Sequence, residues 1–233
     1  MQIALDFGQT ETLLSARNRL LRLYEPVPYE GLFNPTDRLI RAFLGSRTRD
    51  EIATAAFVRL RRQYGSAAVL AEATPNDVEA LIAGVEFADK KAVDMVFALR
   101  RLKALSGDFS LEFLQDWSVA DALRYLESFH GVGRKIAAAV LNFSTLRKPA
   151  FVIDTHVLRV LVRLGFLPPR AKTAETAYDL LMPSLAGWPA AELYEFHWLL
   201  KQLGQELCEF WRTQCRSCPL EPLCPKRGLR TWH

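Results

Sequence analysis

A lysine, an aspartate and four cysteines are the side chains of this chain whose types and spacing best support chemistry. Lys135 follows Phe129-His130-Gly131-Val132-Gly133, which interrupts two segments of helical apolar periodicity. Two glycines flanking one apolar residue suit a tight turn with positive φ and close backbone approach. The next residues, Arg134 to Leu141, are rich in alanine and aliphatics and are expected to form a helix. The start of such a helix points backbone N–H groups outward, a place for a phosphate. Its dipole disfavours a cation there, which helps to lower the pKa of a lysine amine and to make it a nucleophile toward a sugar carbon. Further on, Asp154 ends the β-branched Val152-Ile153 and precedes Thr155-His156 and a second helix. Aspartate at that point suits an N-cap. It is also a carboxylate that the intervening loop can bring opposite Lys135.

The cysteines are Cys208, Cys215, Cys218 and Cys224, all within the last 26 residues, spaced C-x6-C-x2-C-x5-C. A disulfide framework would be spread along a small fold that needs staples, and this chain is large enough not to need them. Crowded thiolates favour a metal centre in a reducing compartment. Zinc and an iron–sulfur cluster both accept four sulfurs. A zinc ribbon more often pairs two CxxC knuckles, whereas here a single CxxC is flanked by one ligand on each side, which favours iron–sulfur.

These groups need a scaffold, and the chain supplies a helical one. At 233 residues, 50% hydrophobic and 24% charged, it fits one large domain or two small lobes. No apolar run approaches the ~18 residues of a membrane span. The first residues, MQIALDFGQTETLL, lack the basic start and apolar core of a signal peptide, so a cytoplasmic protein is expected. The net charge of +4 is a mild basic bias, compatible with a polyanionic partner. Helical spacing or start signals mark segments at Leu13–Tyr24, Arg38–Leu44, Ile52–Tyr64, Val78–Ala83, Lys90–Leu105, Val119–Leu126, Thr173–Met182 and Ala190–Leu207, besides those after Gly133 and Asp154. Prolines and glycines punctuate them, at Pro26 and Pro28, at Pro168-Pro169 and at Gly187-Trp188-Pro189. No run of alternating strands is evident. The expected fold class is all-α, about ten short helices joined by brief turns, without a solenoid repeat.

The glycine turn with its lysine, the Val152-Ile153-Asp154-Thr155-His156 segment and the four-cysteine tail, in this order, resemble the endonuclease III family of DNA glycosylases, within the helix–hairpin–helix–GPD superfamily. The resemblance covers most of the chain, roughly Leu39 to Cys224. It implies two helical lobes: a barrel over residues 28–141 ending in the helix–hairpin–helix, and a second lobe of residues 1–27 and 142–233 carrying a [4Fe-4S] cluster on the four cysteines. It implies that Lys135 attacks C1′ of a damaged nucleotide, forms a Schiff base and nicks the strand by β-elimination, with Asp154 assisting. The partner would be double-stranded DNA with damaged bases, oxidised pyrimidines above all, or abasic sites. The enzyme would be a monomer in the cytoplasm, associated with the nucleoid.

The same resemblance assigns DNA contacts to Ser46, Arg47, Phe87, Gly131, Val132, Gly133, Arg134 and His156. Ser46-Arg47-Thr48-Arg49-Asp50 departs from the family's S-Q-T-x-D by placing arginine where glutamine is usual. Arginine only donates, whereas glutamine donates and accepts toward an orphaned base. Phe87 stands where the family has a leucine wedge, and a phenyl ring can also fill a gap in a kinked duplex; packing in the barrel is the other reading. Glu86 replaces a usual glycine, His130 a usual proline, and the loop from Glu209 to Gln214 carries a single cation, Arg212. His197-Trp198 suits helix packing, and Arg59, Arg61 and Arg62 suit a solvated helix face. Two alternatives to a bifunctional enzyme remain in other classes: a fold-retaining DNA-binding or redox-responsive iron–sulfur protein, and a zinc-binding helical regulator. A monofunctional adenine or mismatch glycosylase is disfavoured by the lysine at 135.

Overall fold

The computed structural model describes residues 7–229. The opening residues 1–6, part of the stretch read as lacking a signal peptide, lie outside the described residues. The chain divides into two compact units, Gly31–Ala150, and Met1–Glu30 with Phe151–His233. Among the described residues the regular structure is helical, and isolated bridges, Phe33 with Ser144 and Cys208 with Thr213, stand in place of a sheet.

Helix α1, Phe7–Leu20, starts earlier than its apolar periodicity indicated and stops at Leu20; residues through Tyr24 continue as turns. It buries Leu13, Ala16 and Leu20.

The unit Gly31–Ala150 holds α2 Pro35–Leu44, α3 Asp50–Tyr64, α4 Ala67–Glu72, α5 Pro75–Leu81, α6 Ala88–Ser106, α7 Val119–Glu127 and α8 Arg134–Asn142. Asn34 caps α2 by accepting from the Asp37 amide, and Pro35 occupies its first turn, where its missing N–H is no loss. Ser66, Thr74 and Ser118 cap α4, α5 and α7 in the same way. The hydrophobic centre is α6, whose Ala92, Met95, Val96, Leu99 and Leu102 are buried, with α2, α4 and α5 packed around it. Helix α8, all but sealed from Ile136 to Asn142, packs on α2 and α7. Arg59 and Arg61 are not merely solvated. Arg59 donates to the carbonyls of Leu81 (2.6 Å) and Ala83 (3.2 Å), and Arg61 reaches Asp37 at 3.3 Å.

The other unit is completed by α9 Thr155–Arg163, α10 Ala174–Leu181 and α11 Ala190–Glu206. Helix α11 packs on α9 and α1. His197 on α11 is buried and bonded through Nδ1 to the Val152 carbonyl at 2.8 Å, a packing role. Among the described residues no helix is long and apolar enough to cross a membrane.

Candidate active site

The hairpin between α7 and α8 is built around one glycine. Gly131 has φ of +75°, and a Cβ there would lie 2.4 Å from Asp94 Oδ2 and 2.5 Å from its Cγ. Gly133, by contrast, is extended (φ −97°, ψ 177°) and caps α8, with nothing within 4 Å of where a Cβ would be. The two-glycine reading therefore holds in full at position 131 alone. Asp94 is buried on α6. Its Oδ2 accepts from Lys90 Nζ at 2.7 Å, and its Oδ1 lies 2.7 Å from His130 Nδ1, an ion-pair separation without hydrogen-bond alignment. His130 itself is exposed at the tip. Phe129 and Val132 point inward at 2% and 5% exposure and fasten the turn to the core.

Lys135 follows in the first turn of α8, half-buried. Arg134 beside it is ion-paired with Glu127, bracing α8 against the end of α7. Backbone donors at this helix start give an anion a place to sit.

In the same unit, two loops converge. Residues 45–49 follow α2, and residues 82–87 precede α6. Arg47 (φ +55°) and Phe87 (φ +57°) both adopt the left-handed conformation, uncommon for side-chain-bearing residues and worth ~1–3 kcal/mol of strain each. The Arg47 guanidinium lies over the Phe87 ring at 5.6 Å, and the ring is 53% exposed, so it does not pack in the core. Ser46 is half-buried and Thr48 Oγ1 accepts from the Glu86 amide at 3.2 Å. Joining the loops is Lys91 at 7% exposure. Its Nζ donates to the Ser46 carbonyl (2.5 Å), to Thr48 Oγ1 (3.2 Å) and to the Leu44 carbonyl (3.3 Å). Burial first, and then the charge of Lys135, push Lys91 down to about 8, against a smaller upward pull from Glu86. Sequence reading missed this residue: it is the second of two adjacent lysines at the start of an amphipathic helix, where a solvated cation is the usual expectation.

Asp154 belongs to the other unit. Its Oδ1 accepts from the amides of His156 (2.8 Å) and Val157 (2.9 Å), which makes it the N-cap of α9. His156 is half-buried and its pKa is lowered, chiefly by desolvation, which favours the neutral ring. The ring's Nδ1 is 3.2 Å from Arg159 Nη2, which also donates to the Gly204 carbonyl at 2.5 Å.

The four cysteines are all free and half-buried. Burial raises the Cys218 thiol, and the charges of Cys208, Cys224 and Cys215 raise it further, so the four are electrostatic neighbours. The loop is anchored by Arg163, 7% exposed, whose Nη1 donates to the Cys208 carbonyl (2.9 Å), to Cys208 Sγ (3.1 Å) and to the Glu209 carbonyl (2.7 Å), while Nη2 reaches the Phe210 carbonyl (3.3 Å). Arg159 adds a bond to the Cys208 carbonyl, and the Lys226 amide donates to Cys224 Sγ at 3.4 Å. N–H groups directed at sulfur suit thiolate ligands, so the donor chemistry fits a four-thiolate centre. As free thiols, however, the four do not form a ready ligand set: among the described residues no group of three or more His, Cys, Asp or Glu side chains is arranged to hold a metal ion. Arg163 was also missed in sequence. Its signal was the spacing of His156, Arg159 and Arg163, which puts all three on one face of α9.

Residues 40–183 match the model of the HhH-GPD superfamily of base excision DNA repair proteins. Endonuclease III of Thermotoga maritima is 33% identical over 193 residues, covering 82% of this chain and 83% of its own. The chloroplastic endonuclease III homolog 1 of Arabidopsis thaliana is 30% identical over 199 residues, 82% of this chain and 50% of that longer protein. In fold, a structure of a non-covalent endonuclease III–DNA complex superposes with a TM-score of 0.76 over 93% of this chain and 95% of that one, at 23% identity. The all-α architecture, the glycine hairpin and these likenesses converge: the chain belongs to the HhH-GPD superfamily, as an endonuclease III homologue and a DNA glycosylase of base excision repair.

Proposed function

We propose that this protein is a bifunctional DNA glycosylase and AP lyase that removes oxidised pyrimidines from double-stranded DNA. The observation that carries the reading is Lys135, half-buried in the first helical turn after the Gly131 hairpin, with a second amine close enough to repel it electrostatically. A neighbouring cation favours the neutral, nucleophilic form of an amine. That amine attacks C1′ of the damaged nucleotide as the C1′–N bond breaks, and the base departs with its electron pair and takes up a proton. Opening of the sugar ring gives an iminium at C1′. Loss of a C2′ proton then expels the 3′ phosphate by β-elimination, and water releases Lys135. Asp154, from its cap of α9, takes the amine's proton or stabilises positive charge on the sugar.

The extruded base leaves a gap, and Arg47 with Phe87 is suited to fill it. Ser46, the hairpin from Gly131 to Arg134, and His156 would contact the strand around it, with Arg134 acting through its brace to Glu127. In this reading Gly31–Ala150 forms the barrel and the other unit forms the cluster domain. Cys208, Cys215, Cys218 and Cys224 would hold a [4Fe-4S] cluster, which when bound cross-links the loop that Arg163 anchors. A monomer working in the cytoplasm, on the nucleoid, completes the proposal.

The test is borohydride reduction with a duplex containing an abasic site. The wild type is expected to give a covalent protein–DNA adduct and a nicked strand, and Lys135→Ala neither. Base release from an oxidised-pyrimidine duplex without adduct or nick would instead indicate a monofunctional glycosylase. Binding with no release at all would favour a fold-retaining DNA-binding protein.

A further inference from the structure

We infer that Lys91 is a positioning residue of this site: its ammonium fastens the loop after α2 to the start of α6, and with it the two loops that carry Arg47 and Phe87. The inference rests on the proposed role of Arg47 and Phe87 in filling the gap left by an extruded base. Three acceptors from two positions of one loop, and from the end of α2, converge on a side chain that is 7% exposed. A buried ammonium is retained only where such bonds compensate its lost hydration. Thr48, one of those acceptors, in turn takes the Glu86 amide, so Lys91 indirectly fixes the second loop as well. Arg47 lies between Ser46 and Thr48, and Phe87 follows Glu86. Both sit in left-handed conformations that persist only when neighbouring structure over-determines them. Lys91 is that neighbouring structure.

Lys91→Met and Lys91→Arg separate this role from mere structure. A folded Lys91→Met is expected to bind an abasic duplex about three- to tenfold more weakly while its affinity for undamaged duplex is unchanged, because the loops that would fill the gap are no longer held. Lys91→Arg keeps donors for the same carbonyls and should recover most of the loss. A folded Lys91→Met with unchanged preference for the abasic duplex overturns the inference. Nitrogen NMR of the wild type provides a reading that does not depend on that variant folding: the Lys91 ammonium should exchange its protons slowly, as a buried and hydrogen-bonded group does, and a freely exchanging Lys91 overturns the inference. If the wild type forms no adduct, the proposed lyase activity fails, while the NMR still reports whether Lys91 holds the loops.

Discussion

Asp94 makes glycine necessary at position 131. Its carboxylate is buried and held from two sides by Lys90 and His130, and it occupies the volume a Cβ at residue 131 would need. The left-handed φ of +75° adds a backbone penalty for any other residue. Gly131→Ala is therefore expected to cost about 2 kcal/mol or more, seen as a lower melting temperature. Adding Asp94→Gly, which also removes the Asp94 Cβ that would lie 2.7 Å from the new methyl, should recover the steric part but not the backbone part, so the double variant should be more stable than the sum of the two losses. Additive losses in that cycle would mean the close approach is relieved elsewhere. His130 Nδ1, 2.7 Å from Asp94 Oδ1, ties the tip of the hairpin to α6.

Among the helices, α9 is capped by Asp154, the same side chain that is proposed to assist Lys135. Asp154 Oδ1 holds two amides at the helix start, so Asp154→Ala should destabilise the unit by about 1 kcal/mol through loss of the cap. Asparagine caps as well as aspartate but has no carboxylate to accept a proton. Asp154→Asn should keep the melting temperature within a degree or two and still reduce trapping on abasic DNA by an order of magnitude or more. Equal activity of wild type and Asp154→Asn would leave Asp154 as a cap alone. The same helix shows how sequence signals locate elements. Ser118 before α7 and Asp154 before α9 were readable as caps because a short acceptor side chain precedes an apolar period. Helix α4 was missed although Ser66 caps it: six residues carry too little periodicity, and Gly65 reads as a stop. Leu70 and Ala71 pack it toward α6, so tertiary contact decides it.

Across the whole molecule, the cysteine loop depends on a cation outside it. Arg163 satisfies three loop carbonyls and approaches one sulfur. Arg163→Leu would take this donor from the Glu209 and Phe210 carbonyls, leave the Cys208 carbonyl to Arg159 alone, and remove an N–H···S contact. It should yield protein with less bound iron and weaker broad visible absorbance, and a lower melting temperature. Full iron content in Arg163→Leu would mean that the loop organises itself. The class of fold and the candidate residues were legible along the chain alone: periodicity and caps are local, and a lysine after a glycine turn, a VIDTH segment and a four-cysteine tail are matters of order. Only the tertiary structure decided which of two adjacent lysines is buried, that Arg47 lies over Phe87, that Gly131 but not Gly133 is sterically required, and that Arg163 serves the cysteine loop. Each of these joins residues far apart in sequence, and burial and electrostatic coupling depend on distance in space, which local pattern does not encode.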